Sequence, residues 1–113
     1  MKIDFQKEAS GVVTARFDGS LDYQASAQLR GGLNQFLQET PPRILMDLTG
    51  VTYVDSSGIA FFVELSQKVK AAGGKMVFAG LNDSVRSVFE LAKLHLFFTI
   101  APTRENALNT LNG

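Results

Sequence analysis

Short apolar runs alternate with longer amphipathic segments along the chain, and this alternation constrains the fold more than any other feature. Residues 44–48 (ILMDL) and 75–81 (KMVFAGL) are bounded by turn residues, as is typical of buried strands. The segments that follow them, 57–72 and 82–92, carry apolar residues at helical spacing. Strands that alternate with helices predict an α/β fold with a mostly parallel central sheet and right-handed crossovers.

The beginning of the chain predicts a β-hairpin. Ile3 and Phe5 alternate with polar neighbours, a turn follows at Ser10-Gly11, and residues 13–17 alternate again. Such a hairpin adds an antiparallel edge to the sheet.

A first helix is expected over residues 25–37, weak or closely packed at Gly31-Gly32 because glycine costs about 1 kcal/mol relative to alanine within a helix. A last strand is expected over 96–100 and a final helix after Pro102. The predicted order is ββαβαβαβα, with helices packed against the sheet, in a single domain that spans residues 1–113.

Charge and composition exclude several classes of function. Eleven basic residues balance eleven acidic ones and are scattered, so direct nucleic-acid binding is not expected. The chain has no cysteine, which excludes disulfides and thiolate metal sites, and we expect no cofactor and no metal. Residues 1–11 alternate instead of forming a signal peptide, and no apolar run approaches about 18 residues, so we expect a cytoplasmic protein without membrane insertion.

The sequence also lacks the parts of a familiar enzyme. A serine-hydrolase elbow needs glycine where Val54 stands and a histidine base, whereas the single histidine, His95, lies in a connection between elements. Asp47 at a strand end lacks neighbours that favour a phosphoacceptor aspartate. We therefore expect no enzymatic activity and no catalytic residue.

One polar cluster stands out in the stretch TYVDSSGIAFF. Asp55, Ser56, Ser57 and Gly58 lie between an apolar strand and an apolar helix, where functional loops of open α/β sheets are found. Asp22 follows the second strand, so the two loops are expected to be neighbours. Helix capping alone explains one polar side chain of this cluster, and Ser56 is the expected cap.

The helix after this cluster is apolar on every side for more than a turn. Four of its residues are expected to face the sheet: Ile59, Phe62, Val63 and Val69. Phe61 and Leu65 lie off that stripe, which leaves two interpretations, core packing or a partner-binding patch.

Together, the element order, Gly19-x-Leu21-Asp22 before the first helix and Asp55-Ser56-Ser57-Gly58 before the second resemble the STAS domain, most closely the bacterial anti-sigma-factor antagonists. Ser20 and the bulky pair Phe61-Phe62 depart from the usual pattern of that family.

The resemblance implies a module that binds an anti-sigma factor, which is also a serine kinase, and releases it when Ser57 is phosphorylated. It implies a metal-dependent serine phosphatase as a second partner. Asp22 and Asp55 would flank Ser57 in the binding surface, and Gly58 would leave room for the kinase. Two alternatives stay open, an adaptor subunit of a transporter or signalling assembly without a phosphoswitch, and a small-molecule-binding domain.

Overall fold

The computed structural model describes residues 1–112 and contains one five-stranded sheet with four α-helices. The strands are β1 (Lys2–Lys7), β2 (Val13–Leu21), β3 (Arg43–Val54), β4 (Lys75–Ala79) and β5 (Thr99–Ile100). The α-helices are α1 (Tyr23–Gly31), α2 (Ser56–Ala71), α3 (Asp83–Leu91) and α4 (Arg104–Asn112). Two short 3-10 helices, Leu33–Leu37 and Leu94–Leu96, lie in the connections. The predicted order ββαβαβαβα is confirmed.

The sheet has the order β1-β2-β3-β4-β5, with β1 antiparallel to β2 and every other pair parallel. Because the parallel strands follow one another in one direction, right-handed crossovers place α1, α2 and α3 on the same face. Helix α4 is not a crossover and packs on the opposite face against β3 and β4. The mostly parallel sheet with an antiparallel edge was therefore predicted correctly.

Alternation along the strands builds a core on each face. Ile44 and Met46 of β3 belong to the larger cluster under α1, α2 and α3, whereas Leu45 between them packs with Ala107 and Leu111 of α4. Six phenylalanines are among the largest fully buried side chains: Phe17, Phe36, Phe61, Phe62, Phe78 and Phe89. Among residues 1–112, no helix is both long and apolar enough to cross a bilayer.

Helix α1 ends at the glycine pair. Gly32 caps it, and the chain continues as a separate 3-10 helix over Leu33–Leu37. Nothing lies within 4 Å of a Cβ built at Gly31, so close packing does not explain that glycine. The helix was predicted to run over residues 25–37, weak or closely packed at these glycines, but it ends there.

Strand β3 is longer than the sequence indicated. We expected a strand over 44–48, but β3 continues to Val54. It pairs with β2 as far as Leu21, which is also beyond the end predicted for that strand. The pairing passes through irregularities in β2, and a Cβ at Gly50 would lie 1.8 Å from Asp18 Oδ1. Gly50 thus permits the close approach of Asp18 of β2, and β3 continues through this glycine.

The last strand is shorter than expected. Residues 96–100 were predicted as β5, but Leu94–Leu96 form a 3-10 helix and only Thr99–Ile100 pair with β4. The apolar side chains of Leu96 and Phe97 are exposed and do not contribute to the sheet. His95 lies in this connection, as expected, and is exposed.

Helix α2 buries more of its surface than predicted: Phe62 and Val69 lie in the core and Ile59 packs against it, as expected, but Val63 does not. Val63 was expected to face the sheet but is 37% exposed, whereas Phe61 and Leu65 are fully buried. Helix α1 packs along the side of α2 on which we had placed a patch, and Arg30 of α1 pairs with Glu64 of α2 at 2.7 Å. A helix between a sheet and a neighbouring helix needs two apolar faces. The interpretation of Phe61 and Leu65 as an exposed partner-binding patch is therefore wrong.

Candidate functional site

Two aspartates stand side by side at the carboxyl ends of the central strands. The register pairs Leu21 of β2 with Val54 of β3, so Asp22 and Asp55 each follow one member of this pair. The backbone N–H of Asp55 donates to the carbonyl oxygen of Leu21 at 3.3 Å, which ties the two strand ends together. The expectation that the two loops are neighbours is confirmed.

Each aspartate caps a helix. The side chain of Asp22 accepts a hydrogen bond from the backbone N–H of Ala25 at 2.9 Å at the start of α1. Asp55 Oδ1 accepts from the N–H groups of Ser57 at 2.9 Å and Gly58 at 3.3 Å at the start of α2. Two helix N-termini, each carrying a partial positive charge, therefore meet at this edge, each with a carboxylate.

Asp55, not Ser56, is the cap of α2, so the expected capping role of Ser56 is wrong. Because β3 continues to Val54 and α2 begins at Ser56, Asp55 is the last residue with an extended backbone before the helix, at φ −108° and ψ −172°. Ser56 becomes the first helical residue and its side chain is exposed. Ser57, the second helical residue, is half-buried between that exposed position and the buried Gly58.

Gly58 has a packing role that the sequence did not reveal. A Cβ at this position would lie 2.8 Å from the side chain and from the carbonyl oxygen of Leu21. Helix α2 approaches the end of β2 so closely that only hydrogen fits there. We had expected Gly58 to leave room for a partner, but it is buried and makes room for Leu21 instead.

A third helix N-terminus extends the same edge. Asn82 Oδ1 accepts from the N–H of Val85 at 2.8 Å and so caps α3. Its side-chain nitrogen donates to the carbonyl oxygen of Val51 in β3 at 2.9 Å. This bond fixes the start of α3 against β3, the strand that Asp55 follows.

Two tyrosines that the sequence analysis did not select are exposed at this edge. Tyr23 follows Asp22 and is 73% exposed, and Tyr53 lies two residues before Asp55 and is 52% exposed. Aromatic residues exposed beside polar groups are frequent anchors of protein interfaces. The sequence places Tyr23 directly after Asp22 and Tyr53 two residues before Asp55, which could have marked both as candidate interface residues. Whether the two rings are exposed depends on the strand lengths, which the sequence did not define.

The chemistry of this edge suits binding to a protein surface. The exposed Ser56 and Tyr23 and the half-buried Asp22 and Asp55 lie at or beside the capped ends of α1 and α2, and Tyr53 precedes Asp55 by two residues. Within the part of the chain that the structure describes, no three His, Asp or Glu side chains converge as a metal-binding group.

Removal of the Asp55 cap is expected to destabilise the domain. Asp55→Ala should lower the free energy of unfolding by about 0.5–2 kcal/mol, because two first-turn N–H groups lose their acceptor. Ser56→Ala, the matched control, should change it by less than about 0.5 kcal/mol because that side chain is exposed. Urea unfolding followed by circular dichroism measures the free energy of unfolding of both variants. A larger decrease for Ser56→Ala than for Asp55→Ala would show that Ser56 is the cap.

Comparisons with known proteins agree with this fold. Residues 6–107 match the profile of the STAS domain. The anti-sigma F factor antagonist of Lysinibacillus sphaericus is 28% identical over 102 residues, covering 89% of this chain and 86% of the relative.

Three solved structures share the fold. An anti-sigma factor antagonist from Mycobacterium paratuberculosis superimposes with a TM-score of 0.84 at 21% identity, covering 99% of this chain and 94% of that one. The unphosphorylated form of the anti-sigma factor antagonist SpoIIAA has a TM-score of 0.72 at 20% identity, with 99% of both chains covered. The phosphorylated form of the Bacillus cell fate determinant SpoIIAA has a TM-score of 0.70 at 21% identity, and the match covers 96% of this chain and 98% of that one. Since the profile match spans most of the sequence, the chain belongs to the STAS domain family.

Proposed function

We propose that this protein is an anti-sigma-factor antagonist that binds an anti-sigma serine kinase through the edge formed by Asp22, Asp55 and Ser56, and that Ser57 is its phosphoacceptor. The observation that carries the proposal is the position of Ser57, half-buried on α2 directly beside the capping carboxylate of Asp55. The Lysinibacillus sphaericus relative, which is named an anti-sigma F factor antagonist, supports the class of partner.

The hydrogen bonds of Asp55 explain why a phosphate there would act on an interface. The N–H groups of Ser57 and Gly58 already donate to Asp55, so a phosphate on Ser57 would have to share them or stay at the surface. It would add about −1.5 to −2 charges beside that carboxylate. At about 6 Å and an effective dielectric near 20, the repulsion reaches several kcal/mol as an upper bound.

The fold has little reason to respond to that charge. Ser57 lies in the first turn of a 16-residue helix, where the helix dipole favours an anion. A partner that fits a neutral hydroxyl next to a carboxylate would instead meet a dense negative charge. Phosphorylation would therefore release the kinase while leaving the domain folded, and a metal-dependent serine phosphatase would restore binding.

Tyr23, which follows Asp22, and Tyr53, two residues before Asp55, extend the proposed surface. Both rings are already exposed, so burying them against a partner would remove apolar area from water without reorganising this chain. The same surface requires no catalytic group of its own, because the kinase supplies the chemistry.

The decisive experiment is phosphorylation by an anti-sigma kinase encoded beside this chain's gene, with Mg-ATP and intact-mass detection. We expect the mass of one phosphate on the wild type and on Ser56→Ala, and none on Ser57→Ala. Fragmentation should locate the group on Ser57. Phosphate on Ser56, or no transfer to either serine, would contradict the proposal, and the latter result would favour an adaptor domain without a phosphoswitch.

A further inference from the structure

A groove lies between the C-terminal half of α2 and the connection from α3 to β5. It consists of two adjoining cavities of about 360 and about 190 Å³ that share Ser66, Lys70, Phe97 and Phe98. The smaller cavity continues along the short edge of β4 and β5 towards Thr110 of α4. Nothing in the proposed kinase-binding surface uses this groove.

One stripe of α2 forms a wall of the groove. Val63, Ser66, Gln67 and Lys70 line it at the spacing i, i+3, i+4 and i+7, so they share one helix face. The sheet and α1 cover the faces of α2 that carry Phe62 and Phe61, whereas Ala60, Lys68 and Ala71 are exposed. The stripe begins six residues after Ser57 and extends away from it.

The opposite wall is apolar, since Leu94, Phe97 and Phe98 line it. Phe97 is 79% exposed although it lines both cavities, whereas Leu91 and Leu96, which are also exposed, line neither. Together with Val63, which lines the larger cavity, Phe97 offers a partner apolar surface that the fold itself does not bury.

Both charged side chains that line the groove are basic. Lys70 lines both cavities and Lys75 lines the smaller one, and none of the residues that line either cavity is acidic. Lys93 and Glu90, of opposite charge, are exposed near this wall in sequence and line neither cavity. An occupant with carboxylates beside an apolar face would complement this arrangement.

We propose that this groove binds an amphipathic helix of a partner protein that carries acidic residues along the borders of its apolar face. Helices bind in such grooves through apolar anchors at helical spacing, and the stripe from Val63 to Lys70 spans about 10 Å, or two turns. A small apolar acid could fill the larger cavity but would leave the rings and side chains at its rim exposed. The partner would bind at a site separate from the end of α2 that carries Ser57.

The test uses a synthetic amphipathic helix with leucines at helical spacing and glutamates on both borders, and a control peptide with lysines in place of the glutamates. We expect the acidic peptide to bind at least about tenfold more tightly in calorimetry, and increasingly weakly as salt rises. Amide shifts in NMR spectra should be confined to the groove.

Variants separate the groove from other surfaces. Lys70→Glu and Phe97→Ser should each weaken binding of the acidic peptide about tenfold or more, whereas Lys2→Glu, an exposed charge reversal on β1, should not. Equal affinity for both peptides, no measurable binding, or shifts at the helix N-termini would overturn the proposal. So would self-association abolished by Phe97→Ser, or binding of decanoate without binding of the peptide, because either result would assign the groove to a different occupant.

Discussion

Phe61→Ser is expected to lower the free energy of unfolding by about 3–5 kcal/mol, because it empties a fully buried aromatic site. The ring of Phe61 lies 5.8 Å from that of Phe36 and 5.9 Å from that of Phe62, measured between centroids. Serine would leave a cavity between α1, α2 and the sheet and would place a hydroxyl group in it. Both effects destabilise the folded state.

Urea unfolding of the wild type and the variant measures this difference, with the slope checked for two-state behaviour. Val63→Ser is the matched control, because it makes a similar change on the same helix at a residue that is 37% exposed. We expect this control to lose less than about 1 kcal/mol. If the two variants were equally stable, Phe61 would not be a core residue. The interpretation of Phe61 and Leu65 as a partner-binding patch would then be favoured.

The order of elements was predictable because periodicity records which side of each segment faces a core. Apolar runs such as 75–81 and the helical spacing of Val85 and Phe89 depend on local geometry, which does not change with the rest of the fold. The end of the helical segment predicted over 57–72 also agrees with α2, which ends at Ala71, and Gly73 after it has a φ of +75° that favours glycine.

The burial of Phe61 and Leu65 was not predictable from the same spacing. A helical wheel shows two apolar faces on α2 but not which neighbour covers the second one. Helix α1 covers it, and the position of α1 depends on the pairing of β2 with β3 over their whole length. The length of β3 was underestimated because Gly50, a glycine inside the strand, resembles a turn signal in the sequence.

For a related reason, the sequence predicted that Asp22 and Asp55 are neighbours, but it did not predict which residue caps α2 or that the tyrosines are exposed. Asp22 and Asp55 follow strands that any parallel arrangement would bring to one edge, so their proximity depended only on the fold class. The choice of Asp55 over Ser56 as the cap depended on where β3 ends, since both residue types cap helices well. The exposure of Tyr23 and Tyr53 depended on the same strand ends.

Ser57→Asp is expected to weaken binding of the anti-sigma kinase at least tenfold, which corresponds to about 1.4 kcal/mol. The new carboxylate would lie in the first turn of α2 next to the carboxylate of Asp55, inside the proposed interface. The domain should stay folded, because an acid near a helix N-terminus contributes about 0.3–1 kcal/mol, partly offset by repulsion from Asp55. Calorimetric titration of the kinase at low and high salt measures the loss and its electrostatic share.

Ser57→Asn isolates the charge, since it adds similar bulk to Ser57→Asp without a carboxylate. We expect this variant to retain most of the affinity and to stay bound in the presence of ATP, because it offers no hydroxyl to phosphorylate. Ser56→Asp places the same charge one residue earlier, on an exposed side chain away from the buried side of the turn, and should weaken binding less than Ser57→Asp. If Ser57→Asp and Ser57→Asn bound the kinase equally well, added charge at this position would not control the interface, and Ser57 would not be the switch.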